Sequence, residues 1–362
     1  MKKTILINYL GRTGAGPEYA YEMAKGFLDN GCKVHVILSK DVYNLSCWKE
    51  LPIEGMLLLD TYKDMRSFIK NTFLFLFQAS RLIRTYFDIG KIDVCYVPMI
   101  QPWSFIVNRI FRKAKIVVTV HDPKPHKGSN FIFDFICWVT AKQADKLVIL
   151  SKTFVEFTSR RYRFKTEDIL VVPHGSFSNY ISKAVNNKEG KLFNFLFFGR
   201  ITKYKGLELL AQAYDLLFKE RQDISLTIAG SGDFSVYSSM FDLSKNIQVV
   251  NRYILDDEIS SFFNKDKTIT VVPYTEATQS GVIPIAMKER SLVVCTNVGG
   301  LLEQTSNGEC AIVCEPSVDG LYNAMKASVQ NYHKYNSIIE KAHLYIESMS
   351  SEKLTKIILD NI

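Results

Sequence analysis

The sequence predicts an α/β protein built from two parallel-sheet halves, and three observations carry that prediction. Short β-branched runs alternate with stretches of helical periodicity along the chain, the pattern of βαβ units. The second half repeats the plan of the first, each opening with an apolar strand that ends near glycine and feeds a helix. The length of 362 residues, 47% of them hydrophobic, is enough for two medium-sized cores.

The first-half strands read as "TILINYL", "KVHVILS", "IDVCYVP", "KIVVTV", "KLVILS" and "DILVVP". Between the first two, Pro17 suits a first helical turn, and Ala20, Met23, Ala24, Phe27 and Leu28 follow at helical spacing. A polar stretch, "SFSNYISKAVNNKEGKLFN", reads as a linker. The second series is "NFLFFG", "ISLTIAG", "NIQVV", "TITVVP", "LVVCTNVGG" and "CAIVC", with Leu207, Leu210, Ala211, Tyr214 and Leu217 as its first helical face. Two Rossmann-like domains are expected, at 1–175 and 190–340, with a C-terminal helix over about 340–362 packing back on the first.

Seven cysteines form no CxxC pair, and several sit inside apolar runs as small hydrophobes, which fits a reducing, cytosolic setting. The opening "MKKTILINYLGRTG" is expected to be a strand, since its apolar part is too short for a signal peptide or a membrane span. The net charge of +8 is unevenly placed. Residues 1–175 carry 26 Lys and Arg against 16 Asp and Glu, or +10, leaving −2 for the remainder. Such a one-sided charge points to an anionic partner, either nucleic acid or an acidic membrane surface. Within it, residues 63–91 combine five Phe with Lys63, Arg66, Lys70, Arg81, Arg84 and Lys91. That composition suits either an interfacial amphipathic helix or a core helix with a solvated basic face.

In parallel sheets ligands bind beyond the carboxyl ends of strands, so the loops leaving strands are the candidate sites. The first, "YLGRTGAGPEYA", places Gly14 and Gly16 before a helix as either a tight turn or a phosphate cradle, and it matches neither GxGxxG nor a P-loop. "FFGRITKYKGLELL" sets Arg200 and Lys205 at a strand-to-helix turn, as a diphosphate clamp or a solvated basic turn. Gly230 in "IAGSGD" permits close backbone approach. His121 and Asp122 in "VVTVHDPKPHKGS", with His126 and with His174 in "VVPHGS", lie at strand ends as structural or proton-handling groups. Glu276 stands alone in "YTEATQSGVIPIAMKE", where an unpartnered buried carboxylate would be costly. No His or Cys pair has metal-ligand spacing and no DxD-like cluster occurs, so no metal or other cofactor is expected.

In combination, "FFGR" followed by "KG", "IAGSGD", the Glu276 stretch and "TNVGGLLE", with "GRTGAGPE" and "HDPKPH" upstream, resemble the retaining GT-B glycosyltransferases of the family-four type, which build bacterial surface polysaccharides. The resemblance covers nearly the whole chain. It implies a GT-B architecture, two Rossmann-like domains facing a central cleft, with a nucleoside-diphosphate sugar on the C-terminal domain and the acceptor on the basic N-terminal one. By motif, Arg200 and Lys205 would hold the donor diphosphate, with Gly14 or Gly16 approaching the same phosphates. His121 would contact the transferred sugar, and Glu276 matches the first glutamate of an EX7E motif. Gly281 and Val282 would offer amides to phosphate, and Arg252, Tyr253 and Ile254 would lie near the base. Gly230 counts among the donor contacts, and Asp122 and His174 fall on the acceptor side. One departure stands out: Pro284 occupies the place of the second glutamate, so Thr278, Gln279 or Ser280 would serve the nucleotide there.

The implied activity is a metal-independent, retaining hexosyl transfer from a nucleotide sugar to a saccharide or lipid-diphosphate-linked saccharide, in O-antigen, capsule or exopolysaccharide synthesis. The expected location is cytoplasmic, with peripheral contact to the inner face of the plasma membrane. The alternatives are a non-catalytic sugar-nucleotide-binding protein, a GT-B epimerase and, more remotely, a nucleic-acid-binding protein. The last lacks a recognisable module and has one dense basic-aromatic run, "LVILSKTFVEFTSRRYRF".

Overall fold

The computed structural model describes residues 2–62, 68, 71–72, 75–124, 131–176, 192–263 and 267–362. Its strands are β1 (Thr4–Tyr9), β2 (Lys33–Ser39), β3 (Gly55–Leu59), β4 (Val94–Val97), β5 (Lys115–Thr119), β6 (Lys146–Ile149) and β7 (Ile169–Val171), then β8 (Phe193–Phe198), β9 (Ile224–Ala229), β10 (Ile247–Val250), β11 (Thr268–Val272), β12 (Leu292–Thr296) and β13 (Ile312–Cys314). The chain divides into two units, Met1–Pro173 with Ser350–Ile362, and His174–Met349.

The first unit holds a seven-stranded sheet in the order β3-β2-β1-β4-β5-β6-β7, with parallel pairing throughout. Each predicted first-half strand is present, and β3 is an addition. Its sequence, "GMLLL", has no β-branched residue, so it gave no strand signal; it forms because Leu57 and Leu59 bury beside β2 at the sheet edge. The strands run nearly apolar because helices cover both faces of such a sheet. The second unit is also parallel, in the order β10-β9-β8-β11-β12-β13, and contains all six strands read from the sequence.

Two helices follow the expected faces. Gly16–Asp29 begins with Pro17 in its first turn, where the missing N–H costs nothing, and buries Ala20, Met23, Ala24 and Phe27. Leu207–Glu220 buries Leu207, Leu210, Ala211, Tyr214 and Leu217. Each sheet reverses its winding once, between β1 and β4 in the first unit and between β8 and β11 in the second. At such switch points the outgoing loops diverge and leave room for a ligand.

The returning C-terminal segment is shorter than predicted. Helix Asn336–Glu347 belongs to the second unit, where Ile339 joins the core, Arg290 pairs with Glu340 and His343 Nδ1 lies 3.2 Å from the Lys288 carbonyl. Helix Ser351–Leu359 packs on Gly16–Asp29 in the first unit. Asn30 Nδ2 donates to the Glu352 carbonyl (2.7 Å) and to Thr355 Oγ1 (3.0 Å), and Lys3 Nζ donates to the Ile362 carbonyl (2.8 Å).

Gly26 makes that close packing possible, because a Cβ there would stand 2.2 Å from the Ser351 carbonyl oxygen. Replacing a mid-helix glycine by alanine ordinarily gains about 1 kcal/mol of helix propensity. Here the overlap is with backbone, and overpacking of this kind costs about 1–3 kcal/mol. Gly26→Ala is therefore expected to lower the urea midpoint in spite of the propensity gain; an unchanged or raised midpoint would contradict this packing.

Candidate functional site

In the second unit, the loops leaving β8 and β11 lie at the switch point. The β8 loop carries Arg200, which is exposed, and Lys205, which is partly buried at the end of a short 3-10 turn. Gly206 ends that turn in a left-handed conformation with φ of 71°, and a Cβ there would stand 1.8 Å from the carbonyl oxygen of Pro273 at the end of β11. The two loops therefore touch backbone to backbone, and the Thr275 amide donates to the Tyr204 carbonyl at 2.8 Å.

This closure sets Lys205 against Tyr274. The ammonium donates to the Tyr274 hydroxyl and lies 3.8 Å from the ring centroid, with the Tyr204 ring 5.5 Å away. Burial pushes the Tyr274 phenol well above its ordinary pKa, while its hydrogen bond with Ser280 and the nearby Arg200 charge pull weakly the other way. Tyr274 is thus a neutral phenol that holds a cation in place. Cation and aromatic face attract each other independently of the hydrogen bond.

The β11 loop is braced from within. Ser280 Oγ lies 3.1 Å from the Tyr274 hydroxyl and accepts from the Val282 amide at 3.2 Å. Gln304 grips the Ser280 backbone on both sides, its Oε1 accepting from the amide at 2.9 Å and its Nε2 donating to the carbonyl at 2.7 Å. Glu276, partly buried, lies on this loop between Thr275 and the buried Ala277 and Thr278. Pro284 is the third residue of helix Val282–Lys288, within the first turn, where backbone N–H groups have no intrahelical partner. Proline is tolerated there without loss of a helical bond.

Other predicted donor residues are placed as follows. Gly230 ends β9 with φ of 150°, and a Cβ would meet the Gly199 carbonyl oxygen at 1.9 Å, so its bareness serves strand-end packing. Arg252 forms a two-pronged pair with Glu258 (2.7 and 2.6 Å), which holds that carboxyl down at a pKa of about 2. Its neighbour Tyr253 is exposed and Ile254 buried. Gly281 caps the Val282 helix, and the Nε2 of His174 lies 3.8 Å from where its Cβ would be. His174, expected on the acceptor side, thus belongs to the second unit and sits by the β11 loop, because the chain has already crossed over at Pro173. The Val282 amide, expected to bind phosphate, is held by Ser280.

In the first unit, the glycine-rich loop follows β1. A Cβ on Gly11 or Gly16 would overlap the Tyr9 hydroxyl, at 2.2 and 2.4 Å, so these two glycines close the loop over a buried tyrosine. Gly14 differs: its φ is 86° and no atom stands within 4 Å of a Cβ position, leaving its backbone open. Just beyond, Glu18 is buried and accepts from the Tyr43 hydroxyl (2.7 Å) and from Asn44 Nδ2 (2.8 Å), which Trp48 braces in turn.

His121 follows β5, with Asp122 exposed beside it. Its Nε2 lies 2.9 Å from the Pro98 carbonyl, which can only accept, so Nε2 carries the proton and Nδ1 is the acceptor end. The ring meets Tyr19 edge to face at 4.6 Å, above a chain of hydroxyls from Tyr19 through Tyr96 to Thr119. His126 lies outside the described residues.

Sequence reasoning missed the supports. Tyr9, Glu18, Tyr274 and Gln304 are ordinary residue types with no spacing signature. Their roles come from strand ends and loops brought together by the sheet. Only Tyr274 had a local signal, as the aromatic that ends an apolar strand immediately before a polar loop.

Comparison with known proteins agrees with this plan. Residues 17–176 match the family described as Glycosyltransferase Family 4, and residues 179–344 match Glycosyl transferases group 1. A Haemophilus influenzae protein described as an uncharacterized glycosyltransferase is 23% identical over 233 residues, 63% of this chain; the match spans 64% of that relative's length. Among solved structures, a glycosyltransferase from Rickettsia africae superposes with a TM-score of 0.70 at 18% identity, covering 99% of this chain and 98% of the other. The Anabaena Alr3699/HepE protein in complex with UDP-glucose gives 0.71 at 14% identity, covering 99% and 100%. The two-sheet fold with cations at a switch point defines a protein of the GT-B class. The chain belongs to the GT-B glycosyltransferases of the family-four type.

Burial pulls the pKa of His121 below its ordinary value, and His35 shifts the same way for the same reason. The unfolded chain takes up these protons near pH 6.5 while the folded chain resists them. The unfolded state then binds more protons, so this contribution to stability is present above about pH 6.5 and is lost as pH falls below it. His121→Gln is expected to flatten part of the fall in urea stability between pH 7 and pH 5, and adding His35→Gln more of it. An unaltered pH profile in both variants would refute the assignment.

Proposed function

We propose that the protein is a retaining glycosyltransferase that moves a sugar from a nucleoside-diphosphate donor to a saccharide or lipid-diphosphate-linked acceptor in cell-surface polysaccharide synthesis, working at the cytoplasmic face of an anionic membrane. The observation that carries the transfer reading is Lys205, held by a neutral phenol beside Arg200 at the switch point of the second unit. Glycosyl transfer passes through a state with positive charge on the sugar and negative charge on the departing diphosphate. Preorganised cations that answer the second charge supply the largest share of such catalysis. Arg200 and Lys205 are that pair, so a metal ion is not required for the step.

Glu276 is the carboxylate that faces the donor sugar in this reading, and its charge stabilises the developing cation without attacking it. The transfer is a front-face substitution: the bond from the anomeric carbon to the diphosphate oxygen breaks, and that oxygen takes the proton of the incoming hydroxyl as the new glycosidic bond forms on the same side. In the first unit, neutral His121 is the group suited to a sugar hydroxyl and the open backbone of Gly14 the group suited to an anion. Thr278 and Gln279 serve the ribose side that Pro284 leaves without a carboxylate. The Anabaena relative holds UDP-glucose, which supports a nucleotide-sugar donor and puts uridine sugars first in a screen.

Thermal-shift screening of nucleotide sugars is expected to single out one donor by a rise in Tm. With that donor, nucleoside diphosphate is released in quantity only when an acceptor is present, and EDTA leaves the rate unchanged. Lys205→Ala and Glu276→Ala each lower turnover about 100-fold or more with the Tm retained. Near-native turnover in either variant would sink the proposal, as would diphosphate release indifferent to acceptor.

A further inference from the structure

The segment 63–91 was one expected membrane contact, and its described residues point the other way. Phe75, Ala79, Ile83 and Phe87 all enter the core of the first unit, with Phe68 packed against it. Phe77 and Leu82 are the large apolar side chains left outside there, with Tyr86 beside them. Lys63, Arg66 and Lys70 lie outside the described residues.

A second helix of the same unit behaves differently. Phe131–Lys142, "FIFDFICWVTAK", places Ile136 and Cys137 against the core and buries Thr140 and Ala141. Its opposite side is mostly apolar as well, with the partly buried Asp134 at its edge. Phe131, Phe135, Trp138 and Lys142 recur at helical spacing as one exposed stripe, with Ile132 and Phe133 flanking it. Phe131 is 82% exposed, Ile132 64% and Phe135 58%, and the Phe135 and Trp138 rings stack at 6.4 Å. A helix with so apolar an outer stripe normally has that stripe covered. At 12 residues it is about 18 Å long, too short to cross a bilayer. Among the described residues no helix is long and apolar enough to do so.

Charge decides what covers the stripe. Residues 131–168 hold seven Lys or Arg against five Asp or Glu, a net +2. Lys142 ends the stripe, its Nζ donating to the Tyr162 carbonyl at 3.3 Å on the adjacent helix Val155–Tyr162. Beside burial, Asp134 and, opposing it, Arg161 both act on Cys137 of the aromatic helix, which sets Arg161 near this face. A second copy of this chain on the same face would set these cations against their own equivalents. An anionic lipid surface would meet them with opposite charge and accept the rings at headgroup depth, where Trp and Phe with flanking cations are favoured.

We propose that Phe131–Lys142 is an interfacial helix that seats the first unit on an anionic bilayer, with Phe131, Phe135 and Trp138 inserted below the headgroups and Lys142 and Arg161 on the phosphates. The proposal rests on the membrane part of the reading above and is independent of the transfer chemistry, since it is tested without donor or acceptor.

The full-length protein is floated with vesicles of phosphatidylcholine alone and with 30% phosphatidylglycerol, on the order of the anionic content of a charged leaflet. Binding is expected with the anionic vesicles and is weak with the neutral ones. Trp48 and Trp103 are buried, so brominated lipid acyl chains are expected to quench mainly Trp138. Phe131→Ser/Phe135→Ser lowers the anionic partition about tenfold or more, Lys142→Gln lowers it about fivefold, and both keep the wild-type Tm. Undiminished flotation of the double-Ser variant would overturn the proposal. So would a wild-type dimer that the double-Ser change dissociates, with no vesicle binding, because the face would then belong to a second copy.

Discussion

The site in the second unit depends on one contact, the carbonyl of Pro273 lying where a Cβ of residue 206 would be. Only glycine admits that approach, and it does so in a left-handed conformation that also ends the Lys203–Lys205 turn and starts helix Leu207–Glu220. With the two strand-end loops in contact, Lys205 reaches Tyr274, and Tyr274 reaches Ser280. Ser280 in turn is fixed front and back by Gln304. Each link uses a group that is neutral or already paired. The lysine is therefore held in position by the phenol and its ring, at the strand-end loops where an anion would be met.

The first unit solves a related problem with different parts. Tyr9 fills the space beneath the glycine-rich loop, and Gly11 and Gly16 are bare because its hydroxyl is there. The loop's open backbone is concentrated at Gly14. Burial keeps His121 neutral, and the Pro98 carbonyl fixes its tautomer. The two units thus differ in chemistry: preorganised cations in one, neutral hydrogen-bonding groups and exposed backbone in the other.

Much of the fold was legible because parallel strands buried on both faces must be apolar along their length, and β-branched residues mark them. Where that marker failed, the strand was missed: "GMLLL" is apolar but unbranched, and it sits at the sheet edge. The boundary of the returning C-terminal helix was misread because both Asn336–Glu347 and Ser351–Leu359 are amphipathic, and sequence periodicity does not say which core an apolar face meets. Cations and glycines of the site were visible in the strand-end loops. Their supports were not, because Gln304 acts on Ser280 across 24 residues and Glu18 on Tyr43 across 25. Such pairings exist only once the sheet has brought its strand ends together.

Pro284 shows how the same reasoning sharpens a departure from pattern. In the third helical position it removes no intrahelical bond, so backbone economy neither forbids nor demands it. Its effect is chemical: it is a buried ring, and in the proposed reading it replaces a carboxylate that would face the ribose. Of the three polar residues available to compensate, Ser280 already has its amide, carbonyl and hydroxyl engaged by Gln304, Val282 and Tyr274. Freeing it for a ligand would loosen the brace under Lys205. In the reading proposed above, recognition of the nucleotide then falls to Thr278 and Gln279, where donor preference would change while the Ser280 brace under Lys205 stays in place.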